Sequence, residues 1–481
     1  MKYRIIALLL ISGILSALQV NAFCGFYVAK ADAKLFNNKS EIILVRDGNR
    51  TVITMSNDFK GTVKDFAMVV PVPVVLREDQ IRIVNRNVFD ALDAYSGPRL
   101  VEYYDENPCQ PVFEYMMDAV PAMARTMNKE IDVAEDFAEK DLGVTIEAKY
   151  TVGEYDILLL SAKESSGLKT WLTQNGYKIP ASAEEVLEPY IKSNMKFFVV
   201  KVNIDKFLES TSEYLNPIQI EFEHERFMLP IRLGMANSPG EQDMIVYAFT
   251  KQGRVECTNY RTVKIPTDRN IPLFVQPKFG DFYKALFDNA YTREAKRAVF
   301  LEYAWDVSLQ NPMKCDPCVG PPPMQKEFQE AGVNWVNSWG GEPVFFTRLH
   351  VRYTRDRFPQ DLNFQVTSNT ERFQGRYIMT HPASGEFDCD AGQSYLYELQ
   401  NKRRKEVDEL IAMTGWEGKN AYNYIHEYSN RMNDERRNEV LFPFIKLPSG
   451  PAGMLLVFLG LLATILLIPE RKSSYSRKTI E

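Results

Sequence analysis

The chain has 481 residues, of which 45% are hydrophobic and 12% aromatic, so it can bury a sizeable core and is neither disordered nor a coiled coil. Its net charge of -6 is mild, and no basic face or RNA-binding motif accompanies it, which argues against a nucleic-acid partner. Roughly 420 residues remain once the two ends are set aside, a length typical of two or three domains.

Residues 1–22 predict a secretory signal peptide. Lys2 and Arg4 give a positive start, an apolar run follows from Ile5, and short side chains surround a cleavage point after Ala22. The apolar run is too short to be a good membrane-spanning helix. The alternative is an uncleaved amino-terminal anchor.

Residues 23–110 predict a β-rich part. "SEIILVRDGNRTVITMS" holds two apolar, β-branched runs around Asp47-Gly48-Asn49, which is a hairpin pattern. "FAMVVPVPVVL" predicts extended chain, because Pro71 and Pro73 exclude a helix and their missing amide donors argue against a central strand. A helix is predicted to follow from Asn87 to Tyr95.

Residues 111–270 predict a mixed α/β part. "TIEAKYTVGEYDILLLSA" predicts two strands joined at Gly153, and "SGLKTWLTQNGYKIP" predicts a short helix closed by Asn175-Gly176. Ser182 to Glu185 forms a capping box that opens the next helix. Further strands are predicted in "MKFFVVKVNI", "PIQIEFEHERFMLPIRL" and "DMIVYAFTKQGRVEC".

Residues 271–446 predict a mixed carboxyl-terminal part. A helix is expected from Phe279 to Arg297, followed by the buried strand "AVFLEYAWDVSL", which leads into a C-x-x-C motif. "PVFFTRLHVRYT" predicts a strand that places Arg348, His350 and Arg352 on one face. We expect that face to be solvated, with an anion site as the alternative.

The clearest amphipathic helix lies near the end of this part, in "SYLYELQNKRRKEVDELIAMTGW". Gly415 stands just past its last periodic residue, as expected for a helix end. Its basic run, Asn401 to Lys405, is predicted to be a solvated face.

Residues 447–468 predict a transmembrane helix because they contain no charged residue. At about 1.5 Å per residue this segment is long enough to cross roughly 30 Å of hydrocarbon. With an exported start, the basic tail 469–481 lies in the cytoplasm and the body lies on the periplasmic or extracellular side of the cytoplasmic membrane. The lipid bilayer is therefore an expected partner. The alternative is a sorting signal beginning at Leu447-Pro448, which lacks the usual Thr-Gly pair.

The cysteines are even in number, and in an oxidising compartment this favours disulfides. Six cysteines allow 15 complete connectivities, among which the sequence does not choose. The candidates are Cys24, Cys109, Cys257, Cys315, Cys318 and Cys389.

Cys315-Asp316-Pro317-Cys318 is the strongest local motif. A redox role needs a helix whose amino terminus lowers the pKa of the first cysteine. Gly320 and the three prolines after it are incompatible with such a helix. Zinc would need two further ligands, and there is no second C-x-x-C. Structural disulfides are therefore favoured, with redox chemistry at Cys315 and Cys318 as the alternative.

The sequence lacks other familiar catalytic and ligand-binding motifs. No nucleotide-binding glycine loop and no G-x-S-x-G nucleophile elbow is present. His224-Glu225 and His426-Glu427 begin like a zinc-protease helix but lack the second histidine, and Asp388 and Asp390 lack the remaining ligands of a calcium loop. The sequence thus predicts no cofactor and no metal, and it assigns no catalytic set.

The chain resembles a bacterial family of exported proteins catalogued as domain of unknown function 2330. The segments that carry the resemblance include "CGFYVAKADAKLFNNKSEIILVRDGNRTVITMSNDF", "FAMVVPVPVVL", "PRLVEYYDENPC", "YDILLLSA", "GLKTWLTQNGYKIP", "YAWDVSLQNPMKCDPC", "TRLHVRYTRDRFPQDLNFQ", "QGRYIMTHP" and "TGW". The resemblance covers nearly the whole exported body. It implies envelope proteins with signal peptides, some with a carboxyl-terminal anchor, and it carries over no functional residues.

The sequence therefore predicts an α+β exported body, β-rich with peripheral helices, on one transmembrane helix. We expect a binding or scaffolding ectodomain with an envelope protein as a possible partner. One alternative is an envelope enzyme, either a thiol–disulfide oxidoreductase or a hydrolase with dispersed residues. Another is an accessory subunit of a membrane complex.

Overall fold

A computed structural model describes residues 26–29, 40–56, 66–110, 143–175, 183–209, 215–235, 240–318, 320–337, 340–417 and 423–427. The predicted signal peptide, the span 447–468, the tail 469–481 and Cys24 lie outside these residues. Within them, no helix combines the length and apolar character needed to cross a membrane.

The described chain is a strand-rich mixed α/β fold with helices at its periphery. Its strands are β1 (Phe26–Ala29), β2 (Ser40–Asp47), β3 (Arg50–Ser56), β4 (Phe66–Val72), β5 (Ile81–Ile83), β6 (Arg99–Tyr104), β7 (Val144–Val152), β8 (Tyr155–Ala162), β9 (Lys196–Val202), β10 (Ile218–Glu223), β11 (Met228–Leu229), β12 (Gln242–Thr250), β13 (Val255–Cys257), β14 (Arg261–Lys264), β15 (Arg269–Asn270), β16 (Ala298–Asp306), β17 (Val336–Asn337), β18 (Gly340–Gly341), β19 (Phe345–Tyr353), β20 (Leu362–Val366), β21 (Phe373–Gln374) and β22 (Arg376–His381).

The described helices are α1 (Asn87–Ser96), α2 (Ser165–Gln174), α3 (Ala183–Lys192), α4 (Ile204–Glu209), α5 (Arg232–Met235), α6 (Phe279–Arg293), α7 (Gln325–Ala331) and α8 (Asp390–Thr414). Two short 3-10 segments lie at Glu78–Gln80 and Leu273–Lys278.

Two sheets build the centre of the molecule. The larger sheet has the order β14-β16-β19-β12-β2-β3-β10-β5, with β21 paired to β16 beside this path. The smaller sheet has the order β1-β4-β9-β8-β7 and its pairs are antiparallel. The larger sheet takes strands from 23–110, from 111–270 and from 271–446, so all three parts of the body share one sheet.

The buried side chains form layers around these sheets. One cluster joins the inner faces of both sheets, for example Leu44 of β2 with Val200 of β9. A second cluster packs α1 and α7 against the larger sheet, and a third packs α2 and α3 against the smaller one. The alternating apolar pattern of the strands explains this, because each strand supplies one row of side chains to each face.

Several local predictions are confirmed. The hairpin pattern gives β2 and β3, joined through Gly48 with a φ of 56°. The predicted helices correspond to α1 and α8, and Gly415 ends α8 with a φ of 71°. The helix predicted from Phe279 to Arg297 ends earlier, at Arg293, because Ala295 and Lys296 adopt positive φ angles.

The position of Pro71 corrects one prediction. The strand β4 lies inside the smaller sheet, between β1 and β9, although its prolines argued against such a place. Among the described residues, β1 pairs with β4 from Phe66 to Val69, and Pro71 pairs with Phe197 of β9. Pro71 therefore lies within the pairing of β4 with β9, two residues past the last described pair of β4 with β1.

Candidate functional site

Cys315 and Cys318 are bonded to each other and close a ring of four residues. The ring lies in the loop that follows β16, with Cα atoms 4.9 Å apart. The next helix, α7, begins only at Gln325, so no helix starts at Cys315. The two sulfurs differ in access, because Cys315 is 5% exposed whereas Cys318 is exposed.

Two tyrosine hydroxyls contact the backbone at Lys314, the residue just before this ring. The hydroxyl of Tyr303 donates to the carbonyl oxygen of Lys314 at 2.6 Å. The hydroxyl of Tyr95 lies 2.8 Å from the same carbonyl and 3.2 Å from Cys315 Sγ. Because Tyr303 already donates to this carbonyl, the single hydroxyl proton of Tyr95 is available to Cys315 Sγ.

Side chains from β21 and β22 contact the other side of the ring. Gln374 Nε2 donates to the carbonyl oxygens of Asp316 and Pro317, each at 3.3 Å. Arg376 donates to the Asp316 carbonyl at 2.9 Å and forms an ion pair with its carboxylate at 3.2 Å. These contacts fix the backbone of the ring without the disulfide.

Positive charge is concentrated here. Arg99 is 7% exposed and donates to the carbonyls of Tyr95, Gly97 and Pro317. Arg99 and Lys314 form no ion pair with the described residues, and burial lowers the pKa of both side chains. For Lys314 the charge of Asp306 acts in the opposite direction. Arg99 and Lys314 thus place two cations beside the ring, which also carries the Asp316 carboxylate.

A second disulfide joins Cys109 to Cys389, 280 residues later in the sequence. It ties the loop after β6 to the start of α8, with Cα atoms 5.8 Å apart. Cys389 Sγ also accepts the amide proton of Gly392 at 3.3 Å as the cap of α8. A Cβ atom at Gly392 would stand 2.7 Å from Cys109 Sγ, so only glycine leaves room for the bridge.

Cys257 is a free thiol in the structure, although the sequence made it a disulfide candidate. It is 7% exposed on β13, and its Sγ lies 3.3 Å from Asn259 Oδ1. Burial raises the pKa of this thiol, which leaves it protonated and unreactive at neutral pH.

The polar face of β19 carries a buried charge network, which corrects the expectation of a solvated face. Arg348 is 5% exposed, and the side chains of His350 and Arg352 are each 13% exposed. His350 lies between two carboxylates, with Nδ1 2.8 Å from Glu302 and Nε2 3.1 Å from Asp243. Its ring stacks on Phe287 of α6 at 3.9 Å, and this helix keeps the face dry.

The carboxylates of this network stay ionised. Burial works to raise the pKa of Glu302, but the charges and hydrogen bonds of His350 and Arg348 outweigh it and hold the pKa at about 2. Burial works to lower the pKa of His350, yet Glu302 and Asp243 raise it overall. Asp243 is also bound by Arg352 through two oxygens at 2.8 and 3.0 Å. Every charge is compensated, which is the arrangement of a structural network.

The basic run on α8 is also partly buried and partly exposed. Arg403 is 2% exposed and its guanidinium reaches Glu427 at 3.0 Å, whereas Arg404 and Lys405 are exposed. The prediction of a solvated face is therefore wrong for Arg403.

A cavity of about 270 Å³ opens at the rim between the two sheets, and we call it the proline cleft. Seven of its eleven lining residues are apolar, and the other four are Ser193 and three consecutive polar residues, which we call its mouth. The lining includes Ile53, Pro71, Pro73, Met195, Phe222 and Met228, with His224, Glu225 and Arg226 at the mouth.

The mouth of the proline cleft offers unused hydrogen-bond donors. His224 Nδ1 accepts the amide proton of Arg226 at 3.0 Å, so the neutral ring carries its proton on Nε2. Neither this Nε2–H nor the guanidinium of Arg226 has a partner among the described residues. Arg226 and Glu225 are exposed. The site therefore combines apolar lining residues with two donors and one carboxylate at the mouth.

Arg46 holds the loop that forms this mouth. Its guanidinium donates to the carbonyls of His224 and Glu225, each at 2.9 Å, and to Thr51 Oγ1 at 2.7 Å. The side of the loop away from the proline cleft borders a second cavity of about 300 Å³, lined by Arg46, Lys251 and Phe227. Lys251 is already paired there with Asp47 at 2.9 Å and with Glu342 at 2.6 Å.

Sequence reasoning missed the proline cleft and the charge network. Its single usable signal for the network was Glu302, an isolated charge in the apolar run "AVFLEYAWDVSL". Glu302 occupies a β-bulge between Leu301 and Tyr303. For the cleft, the sequence shows Pro71 only as a constraint on the backbone.

A family model described as "Uncharacterized protein conserved in bacteria (DUF2330)" matches residues 18–365. No curated protein and no solved structure matches the chain. Within the described residues, no group of three or more His, Cys, Asp and Glu side chains is placed to hold a metal ion.

Proposed function

Because the chain belongs to the bacterial family described as uncharacterised and named DUF2330, which brings no activity with it, we propose its function from its own residues. We propose that it is a membrane-anchored envelope protein whose exported body binds a small ligand in the proline cleft. The ligand has an apolar body and an anionic or acceptor-rich end.

The main support for this proposal is the set of hydrogen-bond donors at the mouth of the proline cleft. Ligand pockets combine apolar walls with a few polar groups that fix orientation, and their volumes begin near 300 Å³. The proline cleft has about this size, mostly apolar lining residues and two donors that lack a partner among the described residues, His224 Nε2–H and the Arg226 guanidinium. Arg46 holds the loop in place before any ligand arrives, so little ordering cost remains.

The ends of the sequence support the envelope location. Residues 1–22 have the layout of a signal peptide, and 447–468 have the length and composition of an anchor. A disulfide that joins two distant parts of the body is typical of proteins outside the cytoplasm.

The dye anilinonaphthalene sulfonate tests the cleft, because it has an aromatic body and an anionic head. We expect saturable fluorescence enhancement with the wild-type body. Arg226→Gln should weaken binding by about fivefold to tenfold, the value of one charge-assisted hydrogen bond at a wet rim. Glu225→Gln should strengthen it, because it removes a repelling carboxylate.

Arg404→Gln serves as the matched control, since Arg404 is an exposed arginine on α8 away from the cleft. It should bind the dye like the wild type. Equal dissociation constants for Arg226→Gln, Glu225→Gln and Arg404→Gln would place the dye elsewhere and refute the cleft as the binding site.

A further inference from the structure

The Cys315–Cys318 ring has features that a purely structural crosslink does not need. In the chain-entropy argument, a disulfide that closes four residues restricts the unfolded chain by only about 2 kcal/mol, and one that closes a ring of hundreds of residues restricts it far more. Tyr303, Gln374 and Arg376 already hold the ring backbone by hydrogen bonds. Its stabilising value is therefore small.

The unequal access of the two sulfurs gives them different chemical roles. Cys318 is exposed, so a thiolate from outside can reach it. Cys315 is 5% exposed, so the same thiolate has far less access to it. Exchange at this disulfide is directed to one sulfur.

The buried sulfur is placed to accept negative charge. The Tyr95 hydroxyl lies 3.2 Å from Cys315 Sγ and can donate to it. Arg99 reaches the Pro317 carbonyl inside the ring at 3.4 Å and forms no ion pair with the described residues. The Tyr95 donor favours a thiolate on Cys315 against the burial that opposes it, and Arg99 adds positive charge beside the ring, without a helix amino terminus.

We propose that Cys315–Cys318 is a redox-active disulfide that exchanges with pairs of cysteines in other polypeptides, with Cys318 as the attacked sulfur and Cys315 as the leaving one. This activity goes beyond ligand binding in the proline cleft and does not depend on it.

The exchange balances without a further reagent. A substrate thiolate attacks Cys318 Sγ, a new S–S bond forms, the Cys315–Cys318 bond breaks, and its electron pair leaves on Cys315 as a thiolate beside Tyr95. The second substrate thiolate then attacks the substrate sulfur of the mixed disulfide and releases Cys318 as a thiolate. The substrate dithiol is oxidised by two electrons, the protein disulfide is reduced by two, and both thiolates take protons from solvent. An oxidised cysteine pair on another polypeptide reverses these steps.

Trapping with oxidised glutathione tests the two roles on the full chain in mild detergent. Cys315→Ser leaves the exposed sulfur, and it should form a mixed disulfide at least about tenfold faster than Cys318→Ser, which leaves the buried sulfur. The adduct is followed by intact mass, with circular dichroism to verify the fold. Equal rates in two folded variants would refute the assignment of the sulfurs.

The wild-type protein provides a test that needs no substitution. In graded buffers of reduced and oxidised glutathione, Cys315–Cys318 should reach a reversible equilibrium while the fold and the Cys109–Cys389 bridge stay intact. Reduction of Cys315–Cys318 only together with unfolding would overturn the proposal.

Tyr95→Phe examines the leaving sulfur directly. In the reduced protein it should raise the pKa of the Cys315 thiol, seen as a shift of the alkylation profile of this cysteine to higher pH. The carbonyl of Lys314 keeps its bond from Tyr303, so the ring backbone should remain in place. An unchanged profile would show that Tyr95 does not assist the thiolate.

Discussion

Nε of Arg348 donates to Oε2 of Glu302 at 2.6 Å, in a place where the two side chains are 6% and 1% exposed. The pair joins β19 to the bulge of β16, so it fixes how two neighbouring strands of the larger sheet meet. The other carboxylate oxygen of Glu302, Oε1, lies 2.8 Å from Nδ1 of His350.

Removal of one partner of the Arg348–Glu302 pair should lower the free energy of unfolding. Glu302→Leu leaves Arg348 and His350 buried without their shared carboxylate, and we expect a loss of about 3–5 kcal/mol in the free energy of unfolding, measured by urea denaturation. Glu302→Leu combined with Arg348→Met should recover part of this loss, because both charges leave together. Arg77→Ala, which breaks an exposed pair with Asp79, should not move the midpoint. A Glu302→Leu protein as stable as Arg77→Ala would contradict a structural role.

Stability should depend on pH at both ends of the range. The pKa of Glu302 is lowered to about 2, so its contribution is full above its ordinary value of 4.5 and is lost as the pH falls toward 2. The pKa of His350 is raised, so its contribution is full below 6.5 and is lost as the pH rises through the raised value. Urea unfolding across this range should show both declines. His350→Gln should flatten the alkaline one, and an unchanged alkaline slope would exclude His350 as its cause.

The two disulfides should contribute unequally to stability. Cys109→Ser with Cys389→Ser opens a ring that spans a sequence separation of 280, and we expect a loss of about 3–5 kcal/mol. Cys315→Ser with Cys318→Ser opens a ring of four residues and should lose about 2 kcal/mol or less. Urea midpoints of the two double variants compare them directly. The reverse order would show that the short ring is the structural staple.

The anchor prediction can be checked by truncation. A chain that ends at Lys446 should move from the membrane pellet to the soluble fraction after alkaline extraction, because it lacks the uncharged segment 447–468. A chain that lacks only the basic tail 469–481 is the matched control and should stay in the pellet. Retention of both chains would point to an anchor elsewhere, such as residues 1–22.

Local structure was largely predictable because it depends on neighbours in sequence. The hairpin at Asp47-Gly48-Asn49 and the end of α8 at Gly415 follow from residues that tolerate positive φ. The burial of Arg348 and His350 was not predictable in this way. A period of two shows that they share a face but not that Phe287, some sixty residues earlier, covers it.

Pro71 makes the same point about the candidate cleft. Its missing amide is a local property, whereas the place of β4 between β1 and β9 depends on pairing with distant parts of the chain. The proline cleft needs Pro71, Met195 and Phe222 from three separate strands or loops to meet at one rim. Only the pairing order of the sheets brings them together.

The bridge from Cys109 to Cys389 also sets an order of events during synthesis. Cys109 leaves the ribosome 280 residues before its partner, and Cys257, Cys315 and Cys318 all emerge in between. Early capture of Cys109 by any of them would lock the chain in a wrong connection. Closure of the short Cys315–Cys318 ring would withdraw two of these competitors, and burial of Cys257 in the fold would withdraw the third. The long bridge therefore requires that Cys109 stay available until the last part of the body has been made.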